Sequence, residues 1–263
     1  MENSMKRLIN NFKKYRFLLV ELVKKDIKLK YRRSYMGYIW TLLEPLLTMI
    51  VLALVFSGLY GRSDKLFPVY ILTGRLLYTF FSNGTKAAMK SIRSNGAMIK
   101  KVYVPKYIYP LSAILSNYII FLLSLVVLVA VGAVLGLRPN LYMLQAIVPL
   151  TLILVMSFGV GMILSTMAVF FRDLEYLWGV ALMIIMYASA IFYQVESVAK
   201  PSNIWIFRLN PLYALIRNFR SAILYQEWMH IPSLIYAVVF SFGTVIIGTI
   251  MFYKQQDKFI LNI

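Results

Sequence analysis

Six stretches, residues 38–60, 67–85, 108–136, 145–170, 177–193 and 232–253, are apolar enough and long enough to cross a lipid bilayer, and nothing else in the 263-residue sequence constrains the fold as strongly. A hydrocarbon core about 30 Å thick requires about 20 apolar residues per helix. The third run is long enough to tilt or to begin as an interfacial helix, and the fifth is only just long enough. Composition agrees: 60% of the residues are hydrophobic and 14% charged, whereas a soluble domain carries about 25% charged residues. The expectation is an all-α integral membrane protein in which residues 1–263 form one transmembrane domain with six transmembrane helices.

An even number of spans places both termini on one side, and the distribution of Lys and Arg says which. With the N-terminus inside, twenty of these residues fall in inner segments and seven in outer ones, while Arg75 lies within a span. Positive residues favour the cytoplasmic face, so both termini are expected in the cytoplasm. The net charge of +18 could suit nucleic acid, anionic lipid or an anionic substrate, and in so apolar a chain lipid is the leading reading. Basic residues interrupt what would be a signal-peptide core near the N-terminus, which is expected to be retained.

Three segments are not spans. Residues 15–33 place Tyr15, Leu19, Leu22, Val23, Ile27 and Tyr31 on one helical face and Glu21, Lys24, Lys25, Lys28 and Arg32, with Arg33 following, on the polar side. This is the pattern of an amphipathic helix at the inner interface, either an anchor or a surface for a cytoplasmic partner. Residues 86–107 form the largest inner loop, with six positive charges and no negative one; Asn95-Gly96 interrupts its helical turns and Pro105 restricts Val104. Residues 194–231 are apolar but carry Arg208, Arg217, Arg220 and Glu227, which makes a full crossing costly. Asn210-Pro211 reads as a helix start. The segment is expected to be a re-entrant hairpin in the outer leaflet, suited to cover an exit, with Trp205, Tyr213 and Trp228 as interfacial anchors.

Glu44 and Arg75 lie within spans, where an ionisable group marks function by default. About 10 Å separates their levels at 1.5 Å per residue, so a direct pair requires tilt and an extended arginine. Aromatics make up 15% of the chain, and many lie within spans, including Tyr78, Phe81, Tyr187 and Tyr193. Ordinary packing explains most of them, and a sugar-passing conduit would also use their faces.

Catalytic parts are scarce. There is no cysteine, hence no disulfide or Cys-based metal site. The sequence has no GxxxxGK[ST] loop, HExxH pair, nucleophile elbow or DxD motif, and its single histidine is His230. No catalytic or metal-ligating residue is assigned.

Four stretches carry a resemblance: KYRRSYMGYIWTLLEPLL (30–47), SIRSNGAMIKKVYVPKYIYPLSAIL (91–115), FFRDLEYL (170–177) and LNPLYALIRNFRSAIL (209–224). With them the chain resembles permeases of the ABC-2 type, specifically those that export O-antigen, wall teichoic acid and other lipid-linked polysaccharides. One departure is Gly74-Arg75-Leu76-Leu77-Tyr78, where such permeases show an apolar Gly-Leu-Leu-Pro-Trp-like run.

The resemblance implies a homodimer in a bacterial plasma membrane, paired with a separate ABC ATPase that holds the ATP and magnesium, so that this chain carries no cofactor. Residues 91–103, with Arg93, Lys100, Lys101 and Tyr103, would be the main coupling helix. Arg172, Asp173 and Glu175 would form a smaller coupling turn, and the interface helix a third contact. Glu44, Arg75, Tyr78, Phe81, Tyr187 and Tyr193 would line the conduit. Trp205, Asn210, Pro211, Tyr213, Arg217 and Arg220 would form an outer gate. The partners implied are the ATPase, a second copy, a lipid-linked polymer and membrane lipids, with no nucleic acid. Rival readings are an exporter of a small hydrophobic compound, a membrane enzyme of lipid-linked sugar assembly and a secondary transporter.

Overall fold

The computed structural model describes residues 2–32, 34–60, 65–102, 104–195 and 204–262. Among them are eleven α-helices and no strand. The first, α1 (Glu2–Tyr31), extends well before the predicted interface segment, and Leu19, Leu22 and Val23 are buried on its packed face. A turn at Gly37–Ile39 leads into α2 (Trp40–Tyr60), which carries Pro45 inside.

The predicted second span and the loop helix after it are one continuous element, α3 (Phe67–Ser94). At 1.5 Å per residue it is about 42 Å long and overshoots a hydrocarbon core. It ends at Asn95, as the Asn-Gly pair predicts, and α4 (Gly96–Lys101) follows. Then come α5 (Ile108–Val134), α6 (Ile147–Phe170) and α7 (Leu174–Ala188). The fifth apolar run was expected to stay helical through 193. Instead α7 stops at Ala188, because Ala190 takes a left-handed φ of 49° that breaks the helical path. Beyond lie α8 (Ile204–Arg208), α9 (Pro211–Arg220), α10 (Ile231–Gln255) and α11 (Phe259–Asn262).

Four stretches are helical, long and apolar enough to cross a membrane by length and composition: Gly37–Phe56, Ile108–Val134, Leu141–Phe170 and Ile231–Asn262. The fold is thus that of an integral membrane protein. The polar residues along α3 and the 15-residue length of α7 set those two helices apart.

The tightest packing joins α6 and α10. A Cβ on Gly159 would lie 2.5 Å from the Val245 nitrogen, and one on Gly248 2.6 Å from the Gly159 carbonyl oxygen. Only glycine permits such an approach, which follows the small-residue logic of helix packing in lipid. At the end of the bundle carrying α1 and α4, Leu19, Leu22, Ile92, Ile99, Tyr109, Phe252 and Phe259 form a second apolar cluster. The ring of Phe259 meets Phe252 edge-on at 5.1 Å, and Lys106 Nζ donates to the Gln256 carbonyl at 2.5 Å. The last helical turn is therefore folded back under the bundle.

Candidate functional site

A polar groove runs between α1, α2, α3 and α5. Its inner arm is lined by Thr41, Glu44, Thr48, Arg75, Thr79 and Ser124 among others, and its mouth by Asp26, Lys86, Ser94, Asn95, Tyr109 and Ser116. Lys30, Glu44, Asn83, Asn117 and Ile120 line both. Helical spacing explains the arrangement. Arg75, Thr79 and Asn83 recur every four residues on α3, and Lys86 continues the stripe one turn later. The Ser124 hydroxyl donates to the Thr41 carbonyl at 3.0 Å and holds α5 to α2 beside the inner arm.

Glu44 and Arg75 therefore face one cavity. Among the described residues no ion pair joins them. Arg75 instead points its Nη1 toward the Met186 sulfur at 3.8 Å and lies 5.8 Å from the Tyr78 ring centre. At the mouth Lys30 is exposed overall, but partial desolvation lowers the pKa of its ammonium from the ordinary value, an effect that nearby Glu44 partly offsets. Burial also pushes the Asp26 carboxyl up, against the opposing effect of Lys25.

The other residues expected in a conduit divide between packed and exposed positions. Tyr78 is buried with its hydroxyl donating to the Leu182 carbonyl at 3.1 Å, and Phe81 is buried with its ring 6.2 Å from Trp178. Both serve the contact between α3 and α7 rather than line the groove. Tyr187 is exposed, and the Tyr193 hydroxyl donates to the Tyr187 carbonyl.

Of the residues expected to form coupling elements, Arg93 and Glu175 are brought together. Glu175 receives Lys90 Nζ at 2.9 Å and Arg93 Nη1 at 3.3 Å, so the first turn of α7 is tied to the end of α3. Arg172 and Asp173 are exposed on the turn just before α7, and Lys100 and Lys101 on α4. Tyr103 lies outside the described residues, as does Arg33. On α1, Lys24 pairs with Glu21 at 2.9 Å and Lys25 donates to the Asn95 side chain at 3.2 Å, while Lys28 and Arg32 are exposed.

The outer-gate set splits into structural and exposed members. Asn210 caps α9, accepting from the Leu212 N–H at 3.0 Å and donating to Ser189 Oγ at 2.9 Å, with Pro211 in the first turn. The Tyr213 ring meets Phe207 at 6.1 Å, and Trp205 and Arg217 are exposed. Arg220, expected in the outer gate, is buried, only 3% exposed. Its guanidinium donates to the carbonyls of Ala190 at 3.0 Å, Tyr70 at 3.1 Å and Ile191 at 3.3 Å, and lies 3.4 Å from the Tyr70 ring centre. Gly74 makes room for it: a Cβ there would sit 2.7 Å from Nη2.

Sequence reasoning missed Lys30, Asn83, Lys86 and Asn117 as groove residues, although the polar stripe on α3 was a usable signal. His230 caps α10 by accepting from the Ser233 N–H at 3.3 Å. No group of three or more His, Cys, Asp or Glu side chains could hold a metal among the described residues.

A helical bundle with several membrane-length helices, enclosing a polar groove at one end, defines a multi-pass membrane protein. The chain belongs to the ABC-2 type transporter family, whose sequence signature matches residues 18–224. It is 29% identical over 248 residues to an O-antigen export system permease protein of Klebsiella pneumoniae, covering 92% of this chain and 93% of that protein. It is 28% identical to an O-antigen export system permease protein of Myxococcus xanthus, covering 85% and 86%. A polysialic acid transport protein of Escherichia coli is 22% identical, covering 90% and 93%.

Proposed function

We propose that this chain is the membrane permease subunit of an ATP-driven exporter that moves a lipid-linked cell-surface polysaccharide, of the O-antigen or wall teichoic acid type, across the plasma membrane. The observation that carries the reading is likeness along nearly the whole chain to O-antigen export permeases, 92% of it in one case. In this reading two copies pair with two ATPase subunits, which hold the ATP and magnesium. Both termini lie in the cytoplasm, α3 and α7 complete six spans, and α8 with α9 forms the re-entrant outer hairpin.

The geometry supports a coupling role for the end of the bundle that carries α4 and the 171–173 turn. Glu175, two residues past that turn, fastens the start of α7 to α3 through Lys90 and Arg93, so a push on exposed Arg172 or Asp173 reaches the helix bearing Arg75. Purification of the tagged protein from native membranes in mild detergent should bring down an ATPase at one copy per permease. The chain emerging alone, even after crosslinking, would sink the proposal. Arg172→Glu should abolish export of the polymer while leaving yield and thermal stability unchanged; normal export would remove the turn from the coupling route. The chain has no cysteine, so single cysteines at Lys86 and Arg138 can report the orientation directly, with Lys86 expected to be labelled from the inside only.

A further inference from the structure

We propose that Phe259 is a positioning residue that joins α4 to the 171–173 turn, so that the two segments assigned above to coupling keep one fixed relation to each other. The inference rests on that coupling reading and adds to it a part that neither segment contains. It starts from how little holds each short element in place. Helix α4 has six residues, of which only Gly96 and Ile99 are buried. Helix α11 has four, of which only Phe259 is buried, while its Ile260 and Leu261 are 45% and 84% exposed. Helices shorter than about 12 residues are marginal by themselves, so each of these two stays where its buried side chain holds it.

Both side chains enter one apolar cluster. Phe259 is fully buried there with Ile99 of α4, Leu19 and Leu22 of α1, and Val169 of α6. Its ring lies 6.1 Å from that of Phe170, the last residue of α6 and the one directly before the turn. Helix α11 packs against both α4 and α6. Aromatic pairs at such separations favour particular orientations beyond the area they bury, so the ring sets an angle as well as filling space. Polar contacts seat it. Lys106, between α4 and α5, donates to the Gln256 carbonyl at 2.5 Å, and its Nζ lies 5.9 Å from the Phe259 ring centre. The Asn262 side-chain amide closes the short helix on the Lys258 carbonyl at 2.9 Å.

The 171–173 turn is thereby gripped on both sides. Glu175 ties the residues after it to α3 through Lys90 and Arg93, and Phe259 ties the residue before it to α4 through the cluster. A close-packed interior transmits strain, so a push on Arg172 or on Lys100 moves both segments as one body. Without the ring each segment yields alone, and the push is absorbed where it lands.

The test has two arms. In the first, the full chain in nanodiscs carries spin labels at Lys100→Cys and Arg172→Cys, which the absence of native cysteine permits, and pulsed electron paramagnetic resonance reads the distances between them. Wild-type Phe259 should give one narrow distribution, Phe259→Ala a broad one, and Phe259→Leu, which keeps apolar bulk but not the ring, an intermediate width. Lys106→Met removes the tie to Gln256 and should broaden the distribution in the same sense, a check that does not depend on the yield of Phe259→Ala. Wild-type width in every folded variant overturns the proposal. In the second arm, the unlabelled chain with its co-purified ATPase is assayed for polymer exported per ATP hydrolysed. Phe259→Ala should lower that ratio about fivefold, within the range shown by side chains that carry coupling between sites, while ATP hydrolysis continues. Met156→Ala, an equally buried truncation in the main core, should lower the melting temperature and leave the ratio unchanged. An unchanged ratio in Phe259→Ala, or a fall matched by Met156→Ala, reduces the ring to ordinary core and overturns the proposal. Failure to co-purify an ATPase would sink the export reading, and the distance arm would still decide whether Phe259 fixes the two segments.

Discussion

Two helix pairs in this bundle are held by opposite means. Helices α6 and α10 meet by steric approach, glycine against backbone, with Cβ clearances of 2.5 and 2.6 Å at Gly159 and Gly248. Helices α3 and α7 meet through separate polar ties, and on α7 only Leu174 and Leu182 are buried. Those ties are Tyr78 Oη to the Leu182 carbonyl at 3.1 Å, Trp178 Nε1 to Thr85 Oγ1 at 3.1 Å, and Glu175 with Lys90 and Arg93, while just past the end of α7 Tyr70 Oη donates to the Ala190 carbonyl at 3.2 Å. Close packing in lipid is a continuous surface that fails as a whole. Hydrogen bonds between membrane helices contribute about 0.6–2 kcal/mol each and can be broken one at a time. The first arrangement suits a fixed strut and the second a part that changes position.

The contrast is broken most decisively at Gly159. Gly159→Leu drives a side chain into the α10 backbone and should cost about 3 kcal/mol or more, so size-exclusion chromatography in detergent should show little monodisperse protein. A sharp peak at wild-type yield would mean that the strut is not a strut. Next in size is Arg220→Ala, which removes several charge-assisted bonds of about 1.5–3 kcal/mol each and should lower the melting temperature markedly. Arg220→Lys should recover only part, because an ammonium cannot span the same carbonyls as a planar guanidinium.

Asn210→Ala should cost about 1 kcal/mol, the usual cost of losing a helix cap, plus the tie to Ser189. A change within the error of thermal unfolding would show the cap to be idle. Glu175→Gln should cost at most about 1 kcal/mol because the pair is partly exposed, yet lower export far more than it lowers stability. Parallel losses in both would reduce the tie to simple scaffolding.

The smallest effect concerns pH. A slight loss of hydration, together with the cations Arg217 and Arg208, pulls the His230 pKa below its ordinary value of 6.5. Between the folded and unfolded values the unfolded chain binds more protons, so this contribution is complete above the unfolded value and declines as pH falls through the folded one. Melting temperature should therefore drop slightly from pH 7.5 to 5.5, and His230→Gln should flatten that slope.

Local chemistry was legible in the sequence. The apolar runs located the long helices, Asn95-Gly96 marked the break after α3, and Asn210-Pro211 opened α9. What escaped was pairing across distance. Nothing near Arg220 announces that its guanidinium will sit over Gly74, and nothing near Glu175 names Lys90 and Arg93. The early end of α7 was hidden because Ala190 gives no sign of a left-handed turn, a conformation usually left to glycine or asparagine. That Tyr78 and Phe81 pack between α3 and α7 was not legible, because an aromatic within a span reads the same whether it packs against a neighbour or faces a cavity. The groove was half visible: Glu44 and Arg75 stood out by charge, whereas Asn83 and Asn117 are neutral and were passed over.

The ties between α3 and α7 have a consequence for how α7 can move. Their partners run in opposite order along the two helices, from Tyr78 with Leu182 through Thr85 with Trp178 to Lys90 with Glu175. A slide of α7 along α3 strains all of them together, whereas a tilt about either end releases them one after another. The zip-like order of the ties therefore favours hinging of α7 over sliding.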